Sequence, residues 1–117
     1  MEPAEEKKLF EQAMEMWGTQ AQLHMVIEEA AELIKATCKM ERASSDRAEA
    51  LHDFIDELAD VSIMVSQWVP EIGQERFDRA RDLKMKRLAA KLEIYRERHK
   101  GDLYPWQPAH ISLKEFM

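Results

Sequence analysis

Apolar residues recur at helical spacing over most of this chain. Leu9, Phe10, Ala13, Met14 and Trp17 predict a short amphipathic helix over residues 4–16, which Gly18 then breaks. Thr19 followed three residues later by Gln22 has the form of a capping box, and neither Pro nor Gly interrupts the chain from there to about Glu41, so a long helix is expected. The short polar segment ERASSDR is a turn, and Asp46 with Glu49 has the capping-box form again at the start of a helix reaching about Val69. Pro70 and Gly73 punctuate the chain, after which a last helix runs up to Gly101. Four helices are thus predicted, three of them substantial. The tail, DLYPWQPAHISLKEFM, holds two prolines among large apolar residues, including Trp106, and is expected to be extended and packed against a surface.

Composition agrees with an all-α domain: Gly numbers 3 and Pro 4, whereas helix-favouring Ala, Leu, Met, Glu, Lys and Arg abound. At 117 residues, 1–117 reads as a single domain, with a core over about 14–100 and the tail at 101–117. The net charge of -6 argues against a nucleic-acid polymer as partner. That average conceals a basic segment, because residues 76–100 carry ten Lys or Arg against four Asp or Glu, a local +6 that leaves -12 for the remainder. The one cysteine, Cys38, forms no internal disulfide, no stretch has the length of a membrane span, and the acidic N-terminus lacks the order of a secretory signal. A cytoplasmic, membrane-free location is the expectation.

Two acidic pairs change the picture from helical bundle to chemistry. Glu29 with Glu32, and Glu57 with Asp60, each stand three apart, and residues at that spacing are neighbours on a helix surface. In an antiparallel hairpin turning near Ser44 and Ser45, residues at equal height have numbers totalling about 89, and Glu29 with Asp60 and Glu32 with Glu57 both satisfy this. Ile27, Ala30, Ala31, Leu33 and Ile34 flank the first pair, and Ile55, Leu58, Ala59, Val61 and Met64 the second. Either pair alone is most simply a solvated face. Together, four inward carboxylates would repel and raise one another's pKa values unless a cation neutralised them. An all-oxygen donor set selects a hard ion, Mg²⁺ with Mn²⁺ as substitute. Glu49 with His52 has the Glu-x-x-His form of di-iron bundles, but such sites require two copies and one is present.

With IEEAAELI at 27–34 and DELADVSIM at 56–64, the chain resembles the MazG-like all-α nucleoside triphosphate pyrophosphohydrolases, whose signature is EExxE followed at a distance by ExxD. The likeness includes WGTQAQLHM ahead of the first motif and KMKRL behind the second, spanning roughly residues 14–90. It implies an oligomeric helical bundle, dimer or tetramer, that hydrolyses (deoxy)nucleoside triphosphates to monophosphate and pyrophosphate with Mg²⁺ in nucleotide-pool house-cleaning. By this resemblance Glu29, Glu32, Glu57 and Asp60 are metal ligands, Glu28 orients the attacking water or supports the ligands, and Lys84 and Arg87 meet the triphosphate. Trp17 and Gln22 are candidates for nucleoside contacts, although Trp17 on its own reads first as a helix-packing aromatic. A catalytically silent helical oligomer acting as regulator or adaptor is the competing expectation; an intact acidic set speaks against it.

Overall fold

The computed structural model describes residues 1–101 and 113–117; the expected extended course of 102–112, and Trp106 with it, lies outside the described residues. Three α-helices are found, α1 (Pro3–Arg42), α2 (Arg47–Ile72) and α3 (Gln74–Arg98), followed by a 3₁₀ turn at Leu113–Phe116. No strand occurs among the described residues. The all-α expectation is therefore met; three helices are counted among the described residues, the first of them joining across a kink at Gly18 the two helices expected there.

Within α1, residues 3–17 and 19–42 are two helical stretches that meet at a kink at Gly18, whose φ of 82° and ψ of 165° leave the helical region, so the break expected there is present. Only glycine occupies that conformation without strain. A Cβ placed on Gly18 would meet nothing within 4 Å, so the restriction comes from the backbone alone. Gly18→Ala is accordingly expected to cost about 1–3 kcal/mol, read as a lowered urea midpoint. An unchanged midpoint would show that the bend does not depend on glycine.

Pro3 in the first turn, Glu5 and Glu6 beside it, and Lys39 and Arg42 in the last turn suit the two ends of the α1 dipole. The helix closes at Ala43, where the backbone becomes extended, and Ser44 and Ser45 carry the chain into α2. Neither capping box forms as expected. The Asp46 carboxylate accepts the amide of Ser44 at 3.3 Å, and Glu49 is drawn across the hairpin to the Lys39 ammonium, also at 3.3 Å. Gln22 sits inside the helix, 1% exposed, with its Oε1 unpaired. In both places a tertiary position has overridden a local hydrogen bond.

Pro70 does not end α2, which continues to Ile72. A proline within the last turn disturbs only the bond to the carbonyl four residues back, and the break comes instead at Gly73, with φ 98°. The chain divides into two compact units, Met1–Glu71 with Leu113–Met117, and Ile72–Ser112. In the first, Met14, Ala36, Ala50 and Phe116 form the buried apolar set, the two alanines lying toward the turn end of the α1–α2 hairpin. The end of the tail differs from its extended expectation. Leu113–Phe116 closes a 3₁₀ turn, with Met117 N–H bonded to the Lys114 carbonyl at 3.3 Å, and seats Phe116 in the interior. The described part of the second unit is dominated by α3, in which no residue is buried. No helix is long and apolar enough to cross a membrane.

Candidate metal centre

Glu29 projects from α1, and Glu57 and Asp60 from consecutive turns of α2. One oxygen from each carboxylate lies within 4.8 Å of the other two. Glu29 and Glu57 are half-buried, whereas Asp60 is exposed, so the cluster opens to solvent on one side. Burial pushes the Glu29 carboxyl above its ordinary range, reinforced by the charges of Asp60, Glu57, Glu28 and Glu32. Glu57 is raised for the same reasons, burial first and then Asp60, Glu32, Asp56 and Asp53. Like charges are thus held together by the packing of the hairpin against their own repulsion.

Ligand oxygens around Mg²⁺ stand ~2.1 Å from the ion and hence no more than ~4.2 Å apart. Three ligand positions cannot all be opposite one another, and adjacent ones lie ~3 Å apart, so oxygens within 4.8 Å of one another close by up to ~2 Å, a side-chain adjustment for which a cation supplies the attraction. The donors are all carboxylate oxygens, which fits Mg²⁺ or Mn²⁺ and leaves zinc and copper without their preferred partners.

Glu32 is not part of this three-oxygen set. It lies beside Glu57 on the wall of an adjoining pocket of about 220 Å³, and its charge acts on both Glu29 and Glu57. Glu28 is exposed and influences Glu29 as a neighbouring charge. Of the five acidic residues singled out in the sequence, three converge and two flank them.

The hairpin is strapped near its turn by Lys39, whose ammonium meets Asp53 at 2.7 Å and Glu49 at 3.3 Å. The Lys39 hydrogen bond holds the Asp53 carboxyl below its ordinary range. Sequence reasoning passed over this pairing, although the equal-height rule that joined Glu29 to Asp60 joins Lys39 to Asp53 and Glu49 within about one turn. The strap also takes Glu49 out of any Glu-x-x-His metal motif, and His52 faces Asp56 at 3.5 Å. His24 is exposed and bonded to Gln20 at 3.2 Å.

Toward the other end of the hairpin, Trp17, Ala21, Gln22 and Met25 of α1 and Gln67 of α2 line a pocket of about 250 Å³. Trp17 is 61% exposed, so it is not buried as the packing aromatic first expected, and it lines this pocket beside the kink at Gly18. A buried acceptor without a partner costs ~1–3 kcal/mol, which makes Gln22 Oε1 a point of attraction for a ligand donor.

Set against family models, curated proteins and solved structures, the chain matches none of them. The site is therefore read from its own geometry and from the motif it carries.

In the second unit, Lys84 and Arg87 are exposed on α3 and have no ion-pair partner among the described residues. Lys86, between them, is paired with Asp82 at 3.0 Å. The two cations singled out in the sequence are thus free to meet an anion, and their neighbour is already engaged.

Proposed function

We propose that this protein is a Mg²⁺-dependent nucleoside triphosphate pyrophosphohydrolase of the MazG-like type, active in nucleotide-pool house-cleaning. The observation that carries the reading is the convergence of Glu29, Glu57 and Asp60 oxygens across two antiparallel helices, from residues in the EExxE and ExxD order. An acidic face kept only for solubility gains nothing from half-burying two of its carboxylates against each other.

In the reaction, the oxygen of water bonds to the α-phosphorus of the substrate. The bond from that phosphorus to the α,β-bridging oxygen breaks, and its electron pair leaves with pyrophosphate. The water's proton passes to solvent, and the nucleoside monophosphate remains. Glu29, Glu57 and Asp60, with Glu32 at hand as a further ligand, would hold a divalent cation, which when bound would supply Lewis acidity and charge neutralisation at the phosphoryl oxygens. Glu28, at the first motif position and exposed beside Glu29, orients the attacking water. Lys84 and Arg87 are assigned to the triphosphate by the KMKRL resemblance. The pocket of Trp17 and Gln22 receives the nucleoside, with the exposed indole stacking on the base.

The direct test is release of pyrophosphate from a panel of standard and deoxynucleoside triphosphates with Mg²⁺ present. Turnover of at least one of them is expected, with monophosphate and pyrophosphate in equal amounts. Orthophosphate as the first product, or no turnover across the panel, would overturn the reading.

The same reading includes a bundle completed by a second copy, as a dimer or tetramer. On the α1–α2 unit, Ile27 is 67% and Ile34 64% exposed, and Ile55 and Ile63 are exposed as well. Exposed apolar side chains on both helices of this unit support assembly with a second copy, most simply about a two-fold axis. Light scattering is expected to give a multiple of the 13.7 kDa chain mass. A stable monomer at micromolar concentration counts against assembly.

A further inference from the structure

The pocket beside the metal centre has an unusual lining. Glu32, Asp53 and Glu57 contribute three carboxylates, and Lys35, Lys39 and Arg42 contribute three cations. Lys39 is committed to Asp53 and Glu49. Lys35 and Arg42 have no hydrogen-bond or ion-pair partner among the described residues, although carboxylates stand in the same pocket. Lys35 and Arg42 thus stand, without partners among the described residues, in a cavity that two of the motif carboxylates also line.

Residues 19–42 run as helix without a break, so position along α1 is a linear scale at ~1.5 Å per residue. Lys35 lies about 4.5 Å and Arg42 about 15 Å beyond Glu32 on that scale, and long helical side chains lean back toward the N-terminus, which brings the guanidinium toward Lys39. Gln22, with its unpaired Oε1, lies about 10 Å to the other side of Glu29. The carboxylate cluster therefore stands between an apolar pocket with one buried acceptor and a pocket with two free cations.

We infer that α1 fixes the direction of the bound nucleotide, with the base at Trp17 and Gln22, the α-phosphate at Glu29, Glu57 and Asp60, and the β- and γ-phosphates in the pocket of Lys35 and Arg42. This assignment rests on the pyrophosphohydrolase reading and deepens it, because it adds Lys35 and Arg42 to Lys84 and Arg87 as residues that bind the phosphates of the pyrophosphate leaving group. Lys39 acts differently: locked to Asp53 and Glu49, it maintains the width of the pocket. Charge also sets an order of binding. Three cations and three carboxylates leave the lining neutral, Glu29 and Asp60 beside it add two negative charges, and a divalent cation cancels them, so the anion follows the metal.

The two reaction products probe the two ends separately. Calorimetric titration of the full chain with pyrophosphate in the presence of Mg²⁺ should show binding that is lost when Mg²⁺ is withheld. The Lys35→Ala/Arg42→Ala variant should weaken that binding ~10- to 100-fold, in keeping with the loss of charged hydrogen bonds, and leave binding of nucleoside monophosphates nearly unchanged. Trp17→Ala should do the reverse. Lys91→Ala, an exposed charge elsewhere, should affect neither. Because the cations are not metal ligands, Mn²⁺ affinity read by electron paramagnetic resonance should persist in the double variant, which also reports that the hairpin is intact. Wild-type pyrophosphate affinity in the double variant overturns the assignment, and if triphosphates are still hydrolysed the pyrophosphohydrolase reading stands without it. Failure of the wild-type protein to bind pyrophosphate with Mg²⁺ present also overturns the assignment; a parallel turnover assay then shows whether the wider reading falls with it.

Discussion

Exchange of Glu57 for Gln is expected to reduce pyrophosphate release on the order of 10³-fold, with the helical circular dichroism unchanged. The substitution keeps size and shape but removes the charge of one of three oxygens that meet across the hairpin. Loss of an outer partner of a metal ligand typically costs ~10- to 100-fold, and loss of the ligand itself should cost more. Asp60→Asn should behave in the same way. Raised metal concentration should recover part of the activity if the damage lies in affinity, because the remaining two carboxylates still face each other. Turnover at the wild-type rate in both variants would remove the carboxylate cluster from the chemistry.

A divalent cation should raise the melting temperature, and the increment should depend on pH in a defined direction. Burial and mutual repulsion raise the Glu29 and Glu57 carboxyls above their ordinary range, so the folded chain binds protons more readily than the unfolded one. Without metal, their contribution to stability is fully present below the ordinary carboxylate range and is lost as pH rises through the raised values. The cation engages the ionised forms and acts in the opposite sense. Its stabilisation is expected to be largest at neutral pH and to vanish as the carboxylates protonate. At a hundredfold excess over Kd it amounts to about 2.7 kcal/mol, or roughly 10 °C for a domain of this size. Glu57→Gln should melt higher than wild type at neutral pH without metal and gain little from Mg²⁺ or Mn²⁺. An equal gain in wild type and in a Glu29→Gln/Glu57→Gln/Asp60→Asn variant would place the bound cation elsewhere.

The helical class and the hairpin were legible because both depend on features that survive without coordinates: apolar spacing, and the breakers at 44–45 and 73. Register followed from counting outward from the turn, and it brought Glu29 to Asp60 correctly. Extended to every polar residue, the same count reaches the Lys39 strap and pairs Gln22 with Gln67 across the second pocket. What the count could not reveal was the choice each side chain makes among neighbours. Glu49 had a local amide within reach and took a cross-hairpin ammonium. Gln22 had the spacing of a cap and became a buried acceptor. Trp17 lay on an apolar stripe and is nonetheless exposed, on the wall of the second pocket, beside the break that Gly18 announced. Pro70 marked the end of α2 three residues early, since a proline in a last turn removes one hydrogen bond and spares the rest.

The turn at 43–46 has a further meaning for how this chain tolerates change in length. Residues inserted between Ser44 and Asp46 lengthen the connection and leave the meeting of Glu29 with Asp60 where it is, because that meeting is set by two intact helices. One residue inserted between Glu32 and Lys39 is a different event. It turns everything on one side of it by about 100° relative to the other, so the Lys39 strap and the Glu29 cluster can no longer be satisfied by the same pairing of helices. Natural variation in length should therefore collect at the turn, and the stretch of α1 from Gln22 to Arg42 should be as indivisible as the graduations of a ruler.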